Sequence, residues 1–300
     1  MKTFLAQLKH GVFNLIEQDL ISMMAAECGS WSDVEMVVLR GFLEPAANVV
    51  EVGSNQGLHA VPLAKMVPAG KLIGFEPQRL IFQQLNCNLS LNNISNAYVF
   101  RRGVGAEDSS MLIDDSHMNH TQQMNYGAFS LEEGYNYEQD FPYERWKTEV
   151  PIVALDTFTP VQTLERLDVL KIDAEGSEMG VLQGARNTIE RFRPVIFMEG
   201  NERYFAQQLA LMQDMNYQPY WCMAWRMEGT GVSPERLQQA GMDINLLCLP
   251  KELLQPNDST KHSVQLQQQA LWWAEHFDGL KAHSFDQLRH GEVQLLHIVA

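Results

Sequence analysis

Basic residues are scarce in this chain of 300: 22 Lys and Arg stand against 37 Asp and Glu, a formal net charge of −15. A nucleic-acid backbone needs clustered Lys and Arg, so the balance argues against nucleic acid as the main partner. The nearest basic candidate, Arg101–Arg102, is too small to argue from. Cysteine is scarce too. Cys28, Cys87, Cys222 and Cys248 form no C-x-x-C pair and no metal-finger spacing. Free thiols in a reducing compartment are the expectation, not a disulfide scaffold. Long apolar runs are missing: nothing approaches the ~18 residues of a membrane span. Residues 1–20 lack the apolar core and cleavage site of a signal peptide. A soluble, cytoplasmic protein with no membrane partner is expected. Two phosphate-binding patterns are also absent, G-x-G-x-x-G and G-x-x-x-x-G-K-[ST].

What is present is a chain 45% hydrophobic and 20% charged, enough to fill a core. Its most informative stretch is VVEVGSNQG at residues 49–57. Val49, Val50 and Val52 read as a buried strand that runs into a tight turn and then a helix. Gly53 permits the sharp turn, and Gly57 permits close approach of the backbone. The next strand, KLIGF, ends on Glu76. A glycine turn after one strand and a carboxylate closing the next is how a doubly wound sheet holds a ribose-bearing ligand. The carboxylate accepts hydrogen bonds from the ribose hydroxyls. The turn reads E-x-G-x-x-x-G in place of the dinucleotide pattern, so a dinucleotide-dependent oxidoreductase is the weaker enzyme reading. A binding or assembly module on the same fold is the non-enzymatic one.

Along the chain, three segments are expected. Residues 1–45 read as helical, with Phe4, Leu5, Leu8, Val12, Leu15 and Ile16 at helical spacing and a second helix from Ser32 to Phe42. Residues 46–250 read as an alternating α/β domain, interrupted by a polar, poorly periodic insertion at 106–149. The sheet resumes with PIVALDTF at 151–158, and YWCMAW and INLLCLP look like the closing strands. Residues 251–300 read as a Gln-rich helical extension. Its apolar face, Leu266, Leu271 and Trp272, is suited to the body or to a second copy in a homo-oligomer.

In an open parallel sheet the ligand sits beyond the carboxyl ends of the strands. Four such ends carry polar groups: Glu51 with Ser54 and Asn55, Glu76, Asp173 with Glu175, and Glu199 with Asn201. Lys171 and Asp173 share one face of their strand. A lysine inside the apolar run VLKI needs a partner, so a structural pair competes with a catalytic lysine. His59, just past the turn, is either a base facing the pocket or a helix-capping residue. In the insertion, Tyr126 and Phe129 either line an acceptor site or anchor a loop around Gly127. Met23, Met24 and Trp31 cap the site or pack in the core.

The segment LDVLKIDAEGSEMGVLQGA closely resembles the signature of the FkbM-type methyltransferases, a class I methyltransferase family. VVEVGSNQGLHAVPLA resembles that family's cofactor turn, LIGFEP its ribose strand, VGAEDSS the loop after its third strand, and INLLCLP its last strand. The likeness covers roughly residues 35–250, with Glu51 where the family has Asp. It implies a doubly wound, mostly parallel, seven-stranded Rossmann-like sheet and methyl transfer from S-adenosylmethionine. The acceptor implied is a hydroxyl of a sugar, glycan or small natural product. Carried over, Glu51, Gly53, Ser54, Asn55 and Gly57 hold the methionine moiety and its turn, and Glu76 holds the ribose. Val104 and Gly105 lie near the adenine, core packing being the alternative for Val104. Asp173, Glu175 and Glu199 are the candidate bases. Asp173, Glu199 and Asn201 also resemble the Mg²⁺ or Ca²⁺ ligands of catechol-type O-methyltransferases, the alternative being carboxylates bound to amides or to Lys171.

Overall fold

Buried apolar runs alternate with helices to build a seven-stranded sheet. The computed structural model describes residues 1–114, 123–127, 129–130, 134–135, 146–227, 233–255, 264–284 and 286–289. The strands are β1 (Asn48–Val52), β2 (Lys71–Phe75), β3 (Ala97–Phe100), β4 (Val169–Ile172), β5 (Val195–Glu199), β6 (Tyr217–Trp225) and β7 (Met242–Pro250). Their spatial order is β6-β7-β5-β4-β1-β2-β3. Strands β3, β2, β1, β4 and β5 pair in parallel, while β7 runs antiparallel to both β5 and β6. The sheet is therefore mixed, with its parallel part as expected.

Val49, Val50, Leu170 and Ile196 are fully buried, as strands covered on both faces require. Each such side chain contributes about 1.5–3 kcal/mol by leaving water. The chain winds outward from β1 to β3 in one direction and from β4 to β5 in the other. The order reverses between β1 and β4, which is where an open sheet leaves a crevice.

Three expectations are corrected. Residues 1–16 are not helical: Thr3–Leu8 and Gly11–Ile16 form an antiparallel hairpin. Phe13 and Leu15 are buried on either side of Asn14, a period of two that the helical count obscured, and Gly11 turns the chain at φ +144°. The second helix is present as Asp33–Gly41. Residues 151–158 do not rejoin the main sheet. Lys147–Val153 instead forms a separate small sheet, parallel to Gly103–Val104 and antiparallel to Ser109–Asp114. In the C-terminal extension, the helix Val264–His276 buries Leu266, Ala270 and Trp273, while Trp272 is 45% exposed. The docked face is thus rotated from Leu271 and Trp272, and Trp273 packs toward Phe42 of the body, ring centroids 6.3 Å apart.

Candidate active site

The β1 turn lies in the crevice at the switch point. Gly53 adopts φ +86°, and a Cβ there would run into the Asp173 carbonyl at the end of β4. Only glycine allows the turn to come this close. Gly57, at φ +90°, lets the same segment approach Leu85 of the helix Arg79–Leu91. Asn55, at φ +47°, is a non-glycine residue in the left-handed region, the kind of backbone strain that gathers at functional sites. From the insertion, Gly127 packs against Asn55, and its carbonyl accepts a bond from Gln78 Nε2 at 3.1 Å. Buried Asp19 ties these pieces together. Its carboxylate accepts from Gln56 Nε2 at 2.9 Å, from the Ser22 amide at 2.8 Å and from the Tyr126 amide at 3.0 Å.

Two adjoining cavities open here. The larger, about 250 Å³, is lined by Glu51, Gly53, Ser54, Asn55 and Glu76, and by Asp173, Glu175 and Glu199 at the other strand ends. The smaller, about 40 Å³, shares Gly53, Glu76, Asp173 and Glu175 and adds Phe75, Arg102 and Val104. Of the expected residues, Gly57 and Gly105 line neither cavity. A Cβ on Gly105 would sit 2.9 Å from Ile152 Cγ2, so Gly105 is a packing position. Val104, 1% exposed, is both core and cavity wall.

Glu51 is a carboxylate inside a central strand. It pairs in register with Lys171 on β4 and with Gly74 on β2. Neither of its oxygens has a hydrogen-bond partner, and neither does the Ser54 hydroxyl. Burial pushes the Glu51 carboxyl up to about 7, against the pull of the Lys171 ammonium. Glu76 accepts the Gln78 amide at 2.8 Å. Burial pushes it to about 8 despite the amide bonds from Gln78 and Asn55. A buried carboxylate without well-formed hydrogen bonds, as at Glu51, is costly and calls for a polar ligand.

Lys171 is 1% exposed. Burial opposes its charge, but Asp173, Glu35 and Glu51 outweigh burial and hold its pKa above the ordinary lysine value. Its Nζ donates to Asp173 Oδ2 at 3.3 Å and lies 3.6 Å from Glu35 Oε2. Glu35, on the helix Asp33–Gly41, also accepts from Asn245 Nδ2 at 2.9 Å. Its carboxyl is pushed up to about 8, first by burial. His59 is buried and lines the larger cavity. Its Nε2 is 3.1 Å from the Trp31 carbonyl, which can only accept, so Nε2 carries the proton and Nδ1 faces Glu35 at 3.6 Å. Burial and the Lys171 charge lower its pKa to about 3, so the ring is neutral. It makes no side-chain cap on the helix Ala60–Met66.

At the β4 end, Glu178 Oε1 accepts the amides of Ala174 at 3.2 Å and Gly176 at 3.0 Å. That clasp holds Glu175 at φ +48°, facing both cavities. Burial, then the charges of Asp173 and Glu178, raise Glu175 to about 7. Glu199 is raised well above its ordinary value, first by burial and then by Asp173.

The divalent-metal expectation is not supported. Among the described residues, no three His, Cys, Asp or Glu side chains are arranged to hold a metal ion. Asp173 is engaged by Lys171, and Asn201 Oδ1 turns back to accept the Arg203 amide at 3.0 Å. Tyr126 packs with Ile16 and Ile81, leaving Asn125 and Gly127 to line the cavity. The Phe129 side chain lies outside the described residues. Trp31 lines the cavity, whereas Met24 packs with Met227.

Sequence reasoning missed Glu35, Arg226 and Asp243, which also line the larger cavity. Glu35 had a signal: it shares a helical stripe with Val38, Leu39 and Phe42, a charge on an apolar face. Asp243 opens β7, whose reversed direction brings its start to the carboxyl ends of its neighbours. There it accepts from Arg226 Nε at 2.7 Å and from the Ser32 hydroxyl. Among the described residues, no helix is long and apolar enough to cross a membrane.

A family model described as the methyltransferase FkbM domain matches residues 51–219. Methyltransferase 1 of Beauveria bassiana is 27% identical over 142 residues, covering 45% of this chain and 57% of its own length. Methyltransferase sdnD of Sordaria araneosa is 27% identical over 160 residues, covering 45% of this chain and 59% of its own. The chain thus spans less than two thirds of the curated relatives it matches. A crystal structure of a methyltransferase FkbM from Methylobacillus flagellatus KT matches at 16% identity with a TM-score of 0.42, covering 69% of this chain and 47% of that one. On the extent of the family match, the chain belongs to the FkbM methyltransferase domain family.

Proposed function

We propose that this chain is an S-adenosylmethionine-dependent O-methyltransferase acting on a hydroxyl of a sugar, glycan or small natural product. The observation that carries the reading is the orphaned pair at the β1 turn. Both Glu51 oxygens and the Ser54 hydroxyl are buried at a cavity wall without a well-formed hydrogen bond, although the nearby Ser54 hydroxyl tempers the rise of the Glu51 carboxyl. A ligand that brings an ammonium and hydroxyl groups, and no phosphate, satisfies them. Glu51, Ser54 and Asn55 would hold the amino-acid end, Glu76 the ribose, and the wall around Phe75 and Val104 the base.

Bound there, the cofactor supplies a methyl carbon made electrophilic by its sulfonium. The chain's task is to align the acceptor oxygen, which is worth on the order of 7–11 kcal/mol, and to remove its proton. Glu175 suits the second task. It faces both cavities on a clasped loop, and its carboxyl is poised near neutrality. Lys171 fixes Asp173 beside it.

The test is calorimetric titration of S-adenosylmethionine into the wild type and Glu76→Ala. Micromolar binding that is lost in the variant supports the reading. A folded wild type that does not bind overturns it in favour of a non-catalytic binding module.

A further inference from the structure

The larger cavity is lined by far more acidic than basic side chains. Seven carboxylate side chains line it, and Arg226 is the one Lys or Arg side chain lining it among the described residues. Arg226 is committed to Asp243 at 2.7 Å and acts on Glu199 only through its charge, and Lys171 beneath the wall is committed to Asp173 and Glu35. Glu51 and Glu76 belong to the cofactor side, and Glu175 is assigned above to the proton. Glu199 remains. It ends β5, lines the cavity, is partly open to it, and has no ion-pair partner within 4.0 Å among the described residues. Gln208 Nε2 bonds its backbone carbonyl at 3.0 Å and leaves the side chain to face the cavity. Trp31 lines the same space.

We infer that the acceptor carries a cationic amine near the methylated hydroxyl, as an amino sugar or amino alcohol does, and that Glu199 is the carboxylate that selects it. This rests on the methyltransferase reading above. A carboxylate crowded by like charges in a poorly solvated cleft gains most from an incoming cation. An anionic acceptor, such as a sugar acid or phosphorylated sugar, finds no free cation in the same wall, because Arg226 is committed to Asp243.

The full chain loaded with S-adenosylhomocysteine is titrated calorimetrically at pH 7 and low salt with glucosamine, N-acetylglucosamine and glucuronate. These probes share a pyranose ring and differ in charge. Glucosamine is expected to bind at least ~10-fold tighter than its neutral N-acetyl counterpart, with glucuronate weakest, since removing one charge partner costs tenfold or more. Glu199→Gln brings glucosamine down to the N-acetyl level, and Glu199→Asp, which keeps the charge, retains part of the preference. S-adenosylhomocysteine binding by each variant verifies its fold. Equal affinities, a reversed order, no glucosamine binding by a cofactor-loaded protein, or a preference unchanged in Glu199→Gln overturns the inference while the methyltransferase reading stands. Failure of the wild type to bind S-adenosylhomocysteine overturns both.

Discussion

The Glu35 carboxylate, on a helix before the sheet begins, lies 3.6 Å from the Lys171 ammonium inside β4. Lys171 thus sits among Glu35, Glu51 and Asp173 and is the cation that all three share. Lys171→Met should leave Glu35 and Glu51 without a counter-charge. At pH 8, where both tend to ionise, the loss should be about 3 kcal/mol, the usual cost of breaking a buried pair. At pH 5 both hold protons, their carboxyls lying at about 8 and about 7, and the loss should be much smaller. Urea unfolding at the two pH values reads the difference. An equal loss at both would assign the effect to packing rather than charge.

Glu51 should trade stability for binding. Its folded pKa of about 7 lies above the ordinary glutamate value. The folded state therefore holds this proton more tightly than the unfolded chain. Its stabilising contribution is complete below about pH 4.5 and is lost as pH rises through about 7. Glu51→Gln removes the penalty and should stabilise the ligand-free protein by up to about 3 kcal/mol at pH 8, with little change at pH 4. S-adenosylmethionine affinity should fall at least ~10-fold in the same variant. A Gln variant that binds as tightly as the wild type would remove Glu51 from the proposed cofactor site.

Gly53→Ala should damage both fold and binding. The position has φ +86°, and the added Cβ meets the Asp173 carbonyl, which is backbone and cannot swing away. The expected cost is at least about 2 kcal/mol by thermal unfolding. Gly57→Ala is the informative comparison, because its Cβ meets the movable Leu85 side chain at 2.9 Å. It should cost less and spare binding more. Equal effects at the two glycines would show that φ alone, not the close approach at Gly53, sets the requirement.

How much of this was legible beforehand follows from which signals are local. The β1 turn and the strand ends at Glu76, Asp173, Glu175 and Glu199 were readable, because glycine placement and apolar runs are properties of short segments. The hairpin at Thr3–Ile16 was not, because residues such as Phe4, Leu8 and Leu15 satisfy both a period of two and a helical spacing. Burial against the body decides between them, and no short window contains that. Asp243 was invisible for a topological reason: its value depends on β7 running against its neighbours. Glu35 was legible in principle, as a charge on the apolar stripe of its helix, but its partner Lys171 is far away in sequence.

Chelation should leave methyl transfer unchanged. Lys171 already supplies the positive charge at Asp173, and the donor set for a divalent ion is not assembled among the described residues. Rates measured with EDTA and with added Mg²⁺ should agree within error. A loss in EDTA that Mg²⁺ restores would show that the carboxylates regroup around a metal when the acceptor binds.

The proton acceptor should announce itself in the pH profile. Burial and the charges of Asp173 and Glu178 place Glu175 at about 7. A general base works only when deprotonated, so kcat should rise with pH through that value and level off above it. Glu175→Gln keeps shape but cannot take the proton. It should lower kcat by roughly 10²-fold or more and abolish the acid limb, with cofactor affinity little changed. The Glu178→Gln variant is the second arm. It removes one of the charges that raise Glu175 and weakens the clasp on Ala174 and Gly176, so its acid limb should move to lower pH. An acid limb that survives unchanged in Glu175→Gln would transfer the role to Asp173, which also lines both cavities and is anchored by Lys171, Glu76 being assigned to the ribose.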